Sequence, residues 1–173
     1  LGGDPLYAGY ALPFPISVGT IRGGDWATSV PGRVTVEGRM GTAPGEEPQA
    51  AMEEMDEALV TAAGADPWLR GHPPILEWWG GRFLAARTDP SDPLVTTLRG
   101  AAESILDRPV GLEGVPYGAD MGLLAGVGGI PTVLFGAGDI RRAHRPDESV
   151  AIDDLAALAR TLAVAAVRFC GAS

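Results

Sequence analysis

The chain has 173 residues, a net charge of −9, 46% hydrophobic and 20% charged residues. That hydrophobic share excludes intrinsic disorder as the main state, and the acidic balance argues against a nucleic-acid binder and against adhesion to anionic lipid. One cysteine and two histidines exclude a disulfide framework, a multi-cysteine zinc site and any site built from three or four imidazoles of this chain.

In chain order, ISVGTIR (Ile16 to Arg22) alternates as a strand, with Ile16, Val18 and Thr20 on one face and Ser17, Gly19 and Ile21 on the other. GGDWATSVPG follows as a long shaped turn. RVTVEGRM is the clearest strand, with Val34, Val36 and Met40 on one face and Arg33, Thr35, Glu37 and Arg39 on the other. Glu46, Glu47 and Pro48 suit a first helical turn. Met52, Met55, Leu59 and Ala62 then repeat at helical spacing until Gly64, which predicts an amphipathic helix packed on a sheet. PPILEWWGGRF predicts a further strand around Ile75 to Trp79.

TDPSDP, near residues 87–92, reads as a linker between two domains. Beyond it the pattern is α/β. Asp92 and Pro93 predict an N-cap and first turn of a helix with Leu94, Leu98, Ala101 or Ala102, and Ile105 buried, ending at Pro109. GADMGLLAG predicts a short helix or turn. IPTVLFG predicts a strand buried on both faces. GAGDIRRAHRPDE is a loop, and a last helix from about Asp153 to Phe169 carries Leu155, Leu158, Leu162, Ala165 and Phe169 at helical spacing.

All thirteen basic residues are Arg, and Lys and Asn are both absent, a pattern of GC-rich codons. No stretch reaches the roughly 20 apolar residues that span a bilayer. The chain starts at Leu1 without a Met or an apolar leader, so the start reads as internal to a longer gene, no signal peptide is seen and a cytoplasmic location is expected.

His144, on the loop after the apolar run, is the best chemical candidate. Ligands gather at the carboxyl ends of strands in α/β sheets, and imidazole is the commonest metal ligand. The plainer reading is a surface histidine among arginines. His72, between Gly and Pro, reads as part of a turn. Asp120 is a ligand, a carboxylate behind one, or an N-cap. Glu148 either orients His144 or opens the last helix as a first-turn acid. Cys170 has no base beside it in sequence and reads as packing. No nucleophile elbow, P-loop or H-E-x-x-H motif is present.

GTIRGGDWATSVPGRVTVEGRMGTAPGE, then PYGADMGLL, then GGIPTVLFGAGDIRRAHRPDESVAIDDL, in that order, resemble the C-terminal half of a zinc-dependent deacetylase and peptidase family. The family includes acetylornithine deacetylase, succinyl-diaminopimelate desuccinylase, aminoacylase and carboxypeptidase G. The resemblance implies an α/β fold: residues 1–86 as the later part of a ferredoxin-like α+β lid or dimerisation domain, and residues 87–173 as the returning part of a zinc-peptidase-like catalytic domain. It implies hydrolysis of the amide bond of N-acyl amino acids or small peptides, two zinc ions (cobalt or manganese being alternatives), and a homodimer through the lid. His144 matches the family's last metal ligand. The glutamate base and the other ligands belong to a preceding half, so the resemblance implies that this chain alone is inactive.

Two positions depart from the family pattern. Thr28 stands where relatives carry Asn, and Gly41 where they carry a substrate-gripping Arg. Arg39, two residues earlier on the same strand face, or Arg22, is expected to take over the carboxylate clamp. Gly118 and Asp120 match a segment that lines the family's site, Gly118 at the substrate and Asp120, like Glu148, behind the metal ligands. The competing readings are a non-catalytic dimerisation or binding module, and a pseudo-enzyme relative.

Overall fold

The computed structural model describes residues 4–171, so the Leu1 start lies outside the described residues. The chain divides into two compact units: residues 1–85 with 113–119, and residues 86–112 with 120–173.

The first unit holds an antiparallel hairpin, β1 (Ile16–Gly23) and β2 (Val34–Met40), and one helix, α1 (Pro48–Ala65). The hairpin pairs Ile16 with Met40, Ser17 with Arg39 and Val18 with Gly38, then shifts so that Thr20 pairs with Glu37 and Arg22 with Thr35. The shift is a bulge at Gly19. An extra residue reverses the alternation beyond it. The sequence pattern put Thr20 with Ile16 and Val18; the register instead puts Ile16, Val18 and Ile21 opposite Met40, Gly38 and Val36. Ser17, Thr20 and Arg22 therefore share the other face with Arg39, Glu37 and Thr35. Gly38 is required by close approach: a Cβ there would strike the Ser17 carbonyl.

Helix α1 begins at Pro48, with Glu47 as its N-cap residue. Glu46 lies before the helix and accepts the Ala43 N–H at 2.8 Å. The expected packing of this helix on the sheet is not found. It buries Ala51 and Ala63. Its Ala51, Glu54, Met55 and Ala58 line a cavity with the segment around Tyr7 and Phe14, where Ile16 and Met40 supply only the ends of the strands. Asp66 then closes a turn by accepting the Trp68 and Leu69 N–H groups at 2.8 and 2.9 Å. The strand expected over Ile75 to Trp79 is also not formed. Its side chains alternate, but a strand needs a hydrogen-bonded neighbour, and β1 and β2 pair only with each other.

The second unit is built on two helices, α2 (Pro93–Leu106) and α3 (Ile152–Cys170). Asp92 accepts the Leu94 N–H at 2.8 Å and Pro93 fills the first helical position, as the sequence predicts. The helix ends at Asp107 in the left-handed conformation. Leu98, Ala101 and Ala165 form the core, with Val133 and Val164 packed against it. Small residues let the two helix backbones approach, and Thr161 is fully buried on the same side of α3. The expected stripe on α3 holds in part: Ala165 is buried and Leu158 half-buried, whereas Leu155, Leu162 and Phe169 are half exposed and Thr161 faces inward instead.

The apolar run 130–135 is extended but unpaired. Thr88 ties it down, donating to the Thr132 carbonyl at 2.5 Å and accepting the Thr132 N–H at 3.1 Å. Val133 reaches the core, whereas Leu134 and Phe135 are exposed. Burial on both faces needs flanking strands, which the described residues do not supply. GLLAGV (Gly122–Val127) is a π-helical stretch, closed by the Gly128 N–H on the Leu123 carbonyl at 2.9 Å. No helix among the described residues is long and apolar enough to cross a membrane.

Candidate metal centre

After the extended run the chain enters a loop with a shape set by hydrogen bonds over residues 139–148. Asp139 accepts the Arg141 N–H at 3.0 Å and grips the Arg141 guanidinium, with Nη2 2.6 Å from Oδ2. Those hydrogen bonds from Arg141, side chain first and backbone second, hold the Asp139 carboxyl down from 3.8 to about 2. One 3-10 turn, Ile140–Arg142, follows.

His144 comes next. Ala143 has φ −59° and ψ 139°, and His144 has φ 63°. The Arg145 N–H donates to the Arg142 carbonyl at 3.4 Å. These angles are those of a type II turn, with Arg142 first, His144 third and Arg145 last. The third position needs positive φ and usually holds Gly or Asn. His is among the few other residues that enter this region with any frequency. The conformation is costly, of order 1–2 kcal/mol, and persists only where neighbours over-determine it.

Glu148 is the neighbour that does so. Its Oε2 accepts the His144 backbone N–H at 3.0 Å, and its own N–H donates to the Arg145 carbonyl at 3.1 Å. The expected contact between Glu148 and His144 therefore exists, but it runs to the backbone and not to the ring. Among the described residues the exposed imidazole has no hydrogen-bond partner, so both nitrogens remain open.

As chemistry, one open imidazole on a fixed loop fits as one metal ligand. It does not make a whole site: no group of three or more His, Cys, Asp or Glu among the described residues could hold a metal ion. Asp120 is exposed and stands just before the π-helical stretch, where its carbonyl accepts the Leu123 and Leu124 N–H groups at 2.9 and 3.1 Å. Its carboxylate holds no cap bond there, so the N-cap reading does not describe it.

In the first unit, Arg22 donates to Glu37 Oε2 at 2.9 Å, and Thr20 donates to the same oxygen at 2.8 Å. Arg22 is thus matched within the polar ladder, and as a free clamp it is superseded. Arg39 makes only a long 3.4 Å contact to Ser17 Oγ. Thr28 lies exposed in the turn between β1 and β2, where the Trp26 carbonyl accepts both the Ser29 N–H and Oγ–H at 3.1 Å. Gly118 packs on Phe83: a Cβ there would stand 2.5 Å from that side chain. His72 stacks on Trp68 with ring centroids 4.3 Å apart, in keeping with a turn.

The sequence reading missed the first unit's cavity. It measures about 850 Å³ and is lined by Tyr7, Tyr10, Phe14, Met40, Glu54 and Met55 among others. Of the candidate site positions named from the sequence, Gly41 alone lines it. The aromatic run YAGYALPF was the available signal, and Tyr7 and Phe14 do meet edge to face at 4.9 Å.

Comparison with known proteins bears on what such a loop serves. The sequence model of peptidase family M20/M25/M40 matches residues 32–168. An N-formyl-4-amino-5-aminomethyl-2-methylpyrimidine deformylase from Halalkalibacterium halodurans is 31% identical over 135 residues, which cover 73% of this chain and 31% of that protein. An acetylornithine deacetylase from Myxococcus xanthus is 29% identical over 171 residues, covering 97% of this chain and 42% of that protein. The chain thus spans less than half the length of these relatives. A solved M20 family metallo-carboxypeptidase from Sulfolobus solfataricus superposes with a TM-score of 0.65 at 18% identity, covering 91% of this chain and 36% of the other. That likeness is one of fold, and it agrees with an α/β chain of the zinc-peptidase type. The family match takes in β2, helices α1 and α2, the His144 turn and nearly all of α3, and on that ground the chain belongs to peptidase family M20/M25/M40, a family of metal-dependent hydrolases.

Proposed function

We propose that the complete protein hydrolyses the amide bond of N-acyl amino acids or small peptides, and that His144 is this chain's ligand to the metal. The observation that carries the reading is the His144 turn. A histidine is held at positive φ where glycine would cost less, its backbone is fastened by a glutamate, and its ring is left open. The names of the deformylase and the deacetylase, both of which describe removal of an acyl group, support the reaction class.

The metal in this reading is zinc, two ions in the complete enzyme, with cobalt or manganese as substitutes. Bound at such a site, it polarises a carbonyl and lowers the pKa of water. His144 holds a ligand nitrogen in place. Glu148 keeps the turn from relaxing by accepting the His144 N–H on Oε2. Asp139 and Arg141 brace the entry to the turn. The remaining ligands and the general base come from the rest of the protein. A homodimer through the first unit belongs to the same reading, supported by the exposed Ile16, Val18, Ile21, Val34 and Val36 of the hairpin.

Zinc per chain and amide hydrolysis, measured on the complete protein with and without chelator and repeated for His144→Ala, test the proposal. Metal and activity lost together with the histidine are expected. Full metal content and activity in His144→Ala would remove His144 from the site. Strong hydrolysis by the 173-residue chain alone would overturn the assignment of the other ligands to the rest of the protein.

A further inference from the structure

The chemistry proposed above makes no use of the first unit's cavity. Its volume, about 850 Å³, lies in the range of small-molecule sites. All the residues that line it belong to the first unit.

Its walls are fixed by hydrogen bonds and close approach. The Asp4 carboxylate accepts the Leu6 N–H at 3.0 Å, and the Tyr10 N–H donates to the Tyr7 carbonyl at 3.0 Å. Tyr7 meets Phe14 edge to face. The Gly41 N–H donates to the Pro15 carbonyl at 3.1 Å, and a Cβ on Gly41 would stand 3.2 Å from the Phe14 backbone. Glu46 accepts the N–H of the buried Ala43, and helix α1 supplies Glu54.

The lining carries charge of one sign. Asp4, Glu46 and Glu54 give it carboxylates, and no Arg or His is among the residues that line it. Tyr7, Tyr10 and Phe14 give it aromatic rings, each half-buried. Carboxylates and the faces of aromatic rings both attract cations. A bare metal ion is not the match, since no three acids among the described residues converge closely enough to hold one. A bulky cation with an apolar body meets both the rings and the dispersed charge.

We propose that this cavity binds a small organic ammonium ion, with Tyr7, Tyr10 and Phe14 against its apolar body and Glu46 and Glu54 balancing its charge. None of these residues takes part in the His144 turn, so the site stands independently of the hydrolase reading.

The test uses the complete protein and two isosteric probes, choline and 3,3-dimethylbutan-1-ol. They differ in a quaternary nitrogen against a quaternary carbon, and each gives one strong methyl resonance for titration by ligand-observed NMR. Choline is expected to bind at least about tenfold more tightly, the scale of a partly desolvated cation–π contact. Glu54→Gln is expected to weaken choline about threefold and leave the alcohol unchanged. Phe14→Leu should weaken choline by a similar factor through loss of the ring. Glu57→Gln removes an acid of α1 that does not line the cavity, and should change neither. Added salt should weaken choline alone. Equal affinity for the two probes would overturn the proposal, because the cavity would then select no charge. Equal losses in Glu54→Gln and Glu57→Gln would overturn it by assigning the effect to the general field of a chain of net charge −9. Binding of neither probe would mean that the rest of the protein or a second copy fills the cavity, which also overturns it. Thermal melting checks that each variant folds, and the comparison of the two probes needs no variant.

Discussion

The two units are held together by different means. The first relies on a polar ladder: Thr20, Arg22 and Glu37 bond across the hairpin, while Ile16 on the opposite face is 63% exposed. Its buried apolar residues are Ala43, Ala51 and Ala63. The second relies on close-packed helices, with Ala101 and Ala102 fully buried and Leu98, Val95 and Ala165 nearly so. A ladder specifies register, whereas a small-residue helix pair specifies distance. The chemical candidate belongs to the second unit, on a loop that follows a segment anchored in the helix core through Val133. Position is thus conferred on His144 by packing behind the loop and by hydrogen bonds within it.

The sharpest way to break this comparison is to separate the loop from its support. His144→Ala in the complete protein is expected to lower kcat/KM at least about a hundredfold, the upper range found when even the partners of metal ligands are lost. The melting temperature should hardly move, because the ring is exposed and makes no hydrogen bond among the described residues. A large fall in stability would mean that the side chain, and not the backbone, holds the turn.

Core damage should act in the opposite sense. Ala101→Leu forces extra methyl groups between α2 and α3 and is expected to cost about 1–3 kcal/mol in urea unfolding. A neutral result would show that the helix pair is looser than its buried alanines imply. Loss of the α2 cap in Asp92→Ala should cost about 1 kcal/mol, read as a lowered melting temperature.

His144→Gly separates conformation from chemistry. Glycine accepts positive φ without penalty, so stability should rise by up to about 1 kcal/mol while activity is lost. An unchanged or lower stability would mean that Glu148 fastens the turn only when a side chain is present.

The smallest expected effect is electrostatic. The Asp139 carboxyl is held below its ordinary value by Arg141, so the pair contributes fully above about pH 3.8 and is lost as pH falls towards about 2. Because Asp139 is exposed, the contribution is small and salt-sensitive. Carboxyl titration by NMR should show the lowered value in the wild type and its return to normal in Arg141→Ala.

Much of this was legible in sequence, for physical reasons. Asp92-Pro93 announced α2 because both its signals are local. Val34 to Met40 alternated without interruption and formed β2 with its polar and apolar sides as read. His144 stood out because it follows an apolar run. The bulge at Gly19 was missed although an isolated glycine inside a strand is its usual mark, because the alternation was carried straight through it. The segments at 75–79 and 130–135 have strand composition but lack paired neighbours, and pairing is a property of two segments. The α3 stripe was right at Ala165 and missed Thr161, because leucines outweigh threonine in a hydrophobic pattern, whereas close helix packing favours small side chains. The positive φ of His144 left no trace either, because the usual mark of such a turn is Gly, and here the functional residue occupies its place.

The Gly19 bulge has a consequence for anyone exchanging this hairpin with that of a relative. Gly19 is the extra residue of β1, so removing it alone leaves an uninterrupted alternation in which Thr20 still faces Glu37 and Ile21 still faces Val36. Removing a second residue as well would turn over what lies beyond, taking Thr20 and Arg22 away from Glu37 and moving Ile21 to the polar side. A single-residue gap in an alignment at this point therefore marks a hairpin that lacks the bulge and keeps its faces, whereas a gap of two marks one whose faces have traded places.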